Sequence, residues 1–301
     1  MTVTSLYNNT QHINVLRDNG YGPADFDIAL SEVYTPARDW RSEGMQLVPN
    51  RRVSYRTDTG EVLGHHSRRY KAVDHRTGMI DPLRRIIEHS SLNARGITEN
   101  ISIGNNGARC YVILDLPNHS ITTPDGDSVN LRFLGTNSYD GSFPLILSTG
   151  GKQGACLNSQ VFVSSSAALY KSRHTLSLDV AHGARIIANG INVLEHEAGM
   201  WHEWARKHIT SGTAARLFKA ITKVKEGSRS TAYNYLMDKY LTHYRRTMGG
   251  NLWAVYNTLT DWSTHAPSLR GNPANIATLK SRRADKVREF ISTEERFKIA
   301  A

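Results

Sequence analysis

A chain of 301 residues, 39% of them apolar, can bury a sizeable core as one large or two smaller domains. It has no apolar run long enough for a transmembrane helix, no basic and apolar leader in its polar start from Met1 to Thr10, and only two cysteines, Cys110 and Cys156. On these features no membrane span, signal peptide or disulfide framework is expected, and a cytoplasmic protein with reduced thiols is. The net charge of +10 is uneven: residues 1–150 hold 15 basic against 16 acidic residues, and residues 151–301 hold 22 against 11. A polyanion such as nucleic acid is therefore the first partner to weigh against a protein that is simply basic.

Residues 1–25 carry few apolar side chains and include Asn19-Gly20-Tyr21-Gly22-Pro23, which reads as a loose arm. From Val48 the pattern changes to period two. Arg51 to Arg56 alternates, Asp58-Thr59-Gly60 turns, and Glu61 to Gly64 returns, the pattern of a β-hairpin. A helix is predicted from Pro82 to Leu92, with Asp81 as its cap and Leu83, Ile86 and Ile87 as its apolar stripe. Strands Ile97–Ile103 and Arg109–Leu116 flank a Gly104-Asn105-Asn106-Gly107 turn. Pro124-Asp125-Gly126-Asp127 turns into strand Ser128–Leu134, and Phe143–Ser148 and Leu157–Ser164 complete the sheet.

The second half switches to helical spacing. Val180, Ala184, Ile187, Ile191, Leu194, Ala198, Trp201 and Ala205 form a seam with a period of about 3.5 residues. It would either pack on the sheet or form a subunit interface. Gly183, Gly190 and Gly199 interrupt it at ~1 kcal/mol each relative to Ala, so close backbone packing compensates or the helix breaks. Further helices are predicted over Thr213–Lys225, Arg229–Thr247, Asn251–Thr264 and Asn275–Ile291, with a linker near Arg270–Pro273. The expected fold class is α+β: a mostly antiparallel N-terminal sheet with a packed helix, then a helical C-terminal half. The expected divisions are an arm and entry segment (1–47), a β-rich core (48–178) and a helical region (179–301).

Most motifs that suggest chemistry fail on spacing. Gly150-Gly151-Lys152 lacks the earlier glycine and the following Ser or Thr of a nucleotide loop, because Ile146 and Gln153 stand there. It reads as a hairpin turn, or as a turn that carries Lys152 to a backbone phosphate. His196 and His202 are spaced by six and do not share the helical face that a zinc protease needs. Cys156 and His174 have no local oxyanion hole or orienting acid, so Cys156 reads as a buried strand cysteine. Asp125 and Asp127 are explained by their turn. The basic cluster Arg51, Arg52, Arg56, Arg68, Arg69 and Lys71 is interleaved with Tyr55 and Tyr70, and Tyr139 belongs to the same sheet. Cations with aromatics are the means by which single strands are bound, although a solvated strand face reads the same way. The last helix carries Lys280, Arg282, Arg283, Lys286 and Arg288 on a basic face that would meet nucleic acid or solvent.

Several segments together resemble a phage- and plasmid-borne family of unknown function. They are Val53 to Gly64, Tyr70-Lys71-Ala72-Val73, Asn137-Ser138-Tyr139-Asp140-Gly141-Ser142, Cys156-Leu157-Asn158-Ser159, Arg173-His174-Thr175 and Leu252 to Asn257. Tyr139 stands where that family usually has His, and Gly154-Ala155 stand where it tends to be apolar. The layout is similar, by analogy of fold, to the phage single-strand annealing proteins of the Redβ, Erf and Sak kind, which assemble as rings or helices on single-stranded DNA.

The resemblance implies ATP-independent binding and annealing of single-stranded DNA in phage recombination or replication, in the cytoplasm of a bacterial host. Arg51, Arg52, Arg68, Arg69, Lys71, Lys152 and Arg173 would neutralise phosphates. Tyr70 and Tyr139 would stack on bases, and His174 would make a polar contact. No bond is made or broken, so no catalytic residue, cofactor or metal is expected. The chain would form a homo-oligomeric ring or helix and bind no membrane, with host or phage replication proteins as further partners. The alternative is a phage interaction protein that binds and inhibits a host defence or replication protein.

Overall fold

A computed structural model describes residues 8–36, 44–153, 169–224, 230–267 and 273–298. In chain order the elements are α1 (Thr10–Asp18), β1 (Ile28–Pro36), β2 (Met45–Arg56), β3 (Val62–Ser67), α2 (Asp81–Glu88), β4 (Thr98–Gly104), β5 (Arg109–Thr122), β6 (Ser128–Ser138), β7 (Leu145–Gln153) and β8 (Leu169–Ser172). The helices α3 (Val180–Arg206), α4 (Ser211–Thr222), α5 (Thr231–Lys239), α6 (Arg245–Met248), α7 (Leu252–His265) and α8 (Pro273–Thr293) follow. The fold is α+β, as expected. Among the described residues no helix is long and apolar enough to cross a membrane.

The chain divides into two compact units. The first comprises Met1–His119, Arg132–Thr149 and Leu169–Gly190; the second comprises Ser120–Leu131, Gly150–Ala168 and Ile191–Ala301.

The strands β1, β2 and β3 form one antiparallel sheet in that order, and β4 to β8 form a second with neighbours in chain order. The two hairpins read from turn chemistry are present. Gly60 closes β2–β3 at a φ of +72°, and Asn105, Asn106 and Gly107 close β4–β5 with positive φ. One face of β5 and β6 is apolar: Cys110, Val112, Leu114, Leu116 and Phe133 are buried, and Met79 of the π turn Arg76–Ile80 lies 2.8 Å from where a Cβ would stand on Gly135. Asp81 does not cap α2. It is the helix's first residue and accepts from the Tyr21 hydroxyl at 3.0 Å.

The loose arm expected at the N-terminus is a correction. α1 buries Ile13 and Leu16, and the Asn9 side-chain amide donates to the carbonyls of Ile87 and Leu92. β1 is a strand paired along β2 from Ile28↔Arg56 to Pro36↔Met45. Few apolar side chains sufficed because Asn9 binds by hydrogen bonds rather than by area. The distal part of the β1–β2 ribbon exposes Tyr34, Met45 and Leu47 on one face, with Tyr34 opposite Leu47. The predicted strand Leu157–Ser164 and the linker residue Arg270 lie outside the described residues.

The seam from Val180 to Ala205 is one unbroken helix, α3. At Gly183 a Cβ would lie 2.6 Å from the Tyr170 ring, so close packing does compensate for that glycine. In the second unit α7 is buried on all sides, every residue from Leu252 to Ser263. Four of its polar side chains bond back onto the helix: Asn257 to the Trp253 carbonyl, Thr258 to Ala254, Thr260 to Asn257 and Ser263 to Thr260, while Asp261 accepts from the Tyr235 hydroxyl of α5. Trp201 and Trp204 of α3 pack against its Trp253 and Tyr256, and the Trp253 indole donates to Asp125 in the β5–β6 turn. The basic face expected on α8 is partly engaged. Arg283 donates to the Ala266 carbonyl and lies over Trp262, and Arg288 pairs with Asp285.

Candidate nucleic-acid interface

The motif Asn137–Ser142 ends β6 and ties the first unit together. Asn137 is buried and spends both amide protons, one on the Val73 carbonyl (2.6 Å) and one on His75 Nδ1 (2.9 Å). His75 Nε2 faces the Gly107 carbonyl at 3.0 Å; a carbonyl only accepts, so that nitrogen carries the proton. Burial holds His75 neutral and pushes its pKa down to about 4. The Tyr139 hydroxyl accepts from the His75 backbone N–H at 2.8 Å, with the two rings 4.0 Å apart. Tyr139 shares a cluster with Phe26, Leu63 and Ala108. Gly141 turns at a φ of +72°, and the Asp140 carboxylate receives the Ser142 N–H and the Arg109 guanidinium. Burial opposes ionisation of Asp140, but the Ser142 and Arg109 bonds outweigh it and hold its pKa below the usual range.

A second aromatic group lies beside this one. Ser54 of β2 donates its hydroxyl proton to the Tyr139 carbonyl (3.0 Å), so His66 Nε2, 2.9 Å from Ser54 Oγ, donates to that hydroxyl oxygen. The His66 ring stacks on Tyr70 at 3.6 Å and 9°. The ring of His174 lies 5.3 Å from Tyr70. The Tyr70 hydroxyl donates to the Ser138 carbonyl. Two polar contacts join the strands of chain around His174: the Lys71 N–H donates to the His174 carbonyl at 3.2 Å, and His174 Nδ1 meets the Lys71 carbonyl at 3.3 Å. The proton therefore sits on Nδ1, and Nε2 is a buried acceptor with no partner among the described residues. Burial lowers the pKa of both His66 and His174.

The expected contact residues thus separate into groups. Arg69, Lys71 and Arg173 are exposed and drawn together by the Lys71–His174 bonds, with exposed Lys171 beside them. Arg51 is exposed but lies on the opposite face of β2 from Arg52 and Ser54. Arg52 and Arg68 both pair with Glu32, at 3.2 and 3.4 Å. The Lys71 ammonium donates to the Leu178 carbonyl. The side chain of Lys152, like Cys156, lies outside what is described.

The two stacking tyrosines are corrections. Tyr139 is fully buried, and its ring cannot meet a base. Tyr70 has one face covered by His66 and its hydroxyl bonded inside. His174 is also buried, at 8% exposure, and acts within the protein rather than at its surface. The sequence reading missed Ser54, His66, His75 and Asn137. Strand alternation was the available signal, because it puts His66 on the face of Gly64, where a Cβ would lie 2.4 Å from the Tyr139 carbonyl oxygen. Cys110 is buried, and its thiol pKa is pushed up to about 12, which makes it inert. Among the described residues no group of His, Cys, Asp or Glu is arranged to hold a metal ion.

Compared with known proteins, the chain matches one family model, the domain of unknown function DUF932, over residues 62–288. No curated protein and no solved structure matches it. With most of its length covered, the chain belongs to the DUF932 family.

Proposed function

We propose that the protein binds single-stranded DNA by its phosphates and anneals complementary strands without ATP, as a homo-oligomer acting in phage recombination or replication. The observation that carries this reading is the Lys71 N–H to His174 carbonyl bond, which brings Arg69 and Lys71 beside Arg173 on one exposed stretch. The net charge of +10 and the resemblance to phage annealing proteins support it further. With Tyr139 and Tyr70 turned inward, binding would rest on the backbone rather than on base stacking, and so would be indifferent to sequence.

The test is fluorescence anisotropy of a labelled single-stranded oligonucleotide across a salt series. Affinity should fall steeply with salt. The Arg69→Ala/Arg173→Ala double variant should lower the slope of log affinity against log salt by about 1.4, at roughly 0.7 per phosphate contact. Absence of binding at low salt, or binding indifferent to salt, would sink the reading. Annealing is read separately, by mixing complementary strands without nucleotide.

A second reading is a factor that binds and inhibits a host defence or replication protein. Tyr34, Met45 and Leu47, exposed together on the β1–β2 ribbon, favour it, because such a patch fits a protein surface. Stoichiometric capture of one host protein after nuclease treatment would favour it over DNA binding.

A further inference from the structure

We propose that His174 is a positioning residue. Its imidazole clamps the Arg69–Lys71 segment beside Arg173, and DNA is held without touching the ring. The proposal rests on the DNA-binding reading for its purpose, but its geometry stands alone. Residues 174–178 hold Lys71 at three points: the His174 carbonyl takes its N–H, His174 Nδ1–H meets its carbonyl, and the Leu178 carbonyl takes its ammonium at 2.8 Å. Only the second of these depends on a side chain of the 174–178 segment, so His174 is the point at which the clamp can be broken. The ring is buried and lies against Tyr70, whose other neighbour is His66.

The clamp as built has no place for a second proton. Nε2 is buried without an acceptor. The groups around the ring are Tyr70 and Lys71 on the facing segment, His66 on β3, and His75; all are neutral or cationic, and none offers a counter-charge. On its own segment Lys171 and Arg173 are cationic, and Asp179 is engaged by the His182 N–H at the start of α3. A protonated His174 would therefore leave the position it holds in the neutral state.

The test uses the full chain, a labelled oligothymidine and three variants. His174→Asn places an amide N–H near the position of Nδ1 and cannot titrate. His174→Gln and His174→Ala remove that donor. At neutral pH the Asn variant should bind like wild type, and the Gln and Ala variants roughly tenfold more weakly, the equivalent of one lost hydrogen bond. The affinity ratio of wild type to the Asn variant should fall as pH drops from about 7.5 to about 5.5. Thermal melts over the same pH range should show wild type losing stability that the Asn variant keeps. Wild-type binding by the Ala and Gln variants, an Asn variant as weak as Ala, or identical pH profiles for wild type and Asn would overturn the clamp. If wild type binds no oligothymidine, the DNA reading fails, and the melts alone decide the clamp.

Discussion

Arg84 shows how much a single side chain can contradict its pattern. The spacing makes Leu83, Ile86 and Ile87 the apolar stripe of α2, yet Arg84 is the residue buried with Leu83 and Ile87, while Ile86 is only half-buried. Its guanidinium meets both oxygens of Glu99 on β4 and donates to the carbonyls of Leu16 and Gly20. Periodicity cannot see a partner that comes from another element. Replacing Arg84 by Met should cost about 3–5 kcal/mol in urea denaturation, because Glu99 would stay buried without its counter-charge. The double variant Arg84→Met/Glu99→Leu should recover most of that loss. The same blindness explains the tyrosines. Tyr70 reads as a surface residue because cations flank it in sequence, and Tyr139 because it belongs to the same sheet, whereas the rings lie against His66 and His75.

At the scale of elements, what was legible had a local cause. The β2–β3 and β4–β5 hairpins announced themselves by turn residues, α3 by its seam, and α7 by a run beginning at Asn251, whose side chain accepts the Ala254 N–H as a cap. What was not legible depends on distant partners. β1 exists because β2 pairs with it, α1 because Asn9 reaches Ile87 and Leu92, and β8 is only four residues long. Close approach between elements is also invisible locally. Gly64 on β3 lies under the backbone of Tyr139, with an added Cβ 2.4 Å from its carbonyl oxygen and 2.8 Å from the Asp140 Cα. Backbone cannot move aside as a side chain can. Gly64→Ala should therefore destabilise the fold by about 1–3 kcal/mol, and should shift the thermal midpoint more than Gly104→Ala, where the space is open.

For the molecule as a whole, acid is the condition that separates its two charge states. His75 has a pKa of about 4 against an ordinary value of about 6.5, and His66 and His174 are lowered by the same burial. The unfolded chain binds more protons at these sites than the folded one, so stability is intact above about pH 6.5 and falls as pH drops toward about 4. His75 alone should account for about 3 kcal/mol across that window. Denaturant midpoints measured at several pH values check this, and His75→Gln should flatten the curve. A protein whose stability did not change below pH 6.5 would contradict the neutral assignment.

A helix enclosed on every side normally obliges its neighbours to supply partners for each polar group it carries. In α7 the amide and hydroxyls of Asn257, Thr258, Thr260 and Ser263 discharge that obligation on carbonyls of the same helix. Those positions ask nothing of the surrounding side chains beyond shape. The packing around them can drift among apolar residues while α7 itself keeps its own spelling. In any set of relatives the helix should therefore read as a fixed word within a variable sentence.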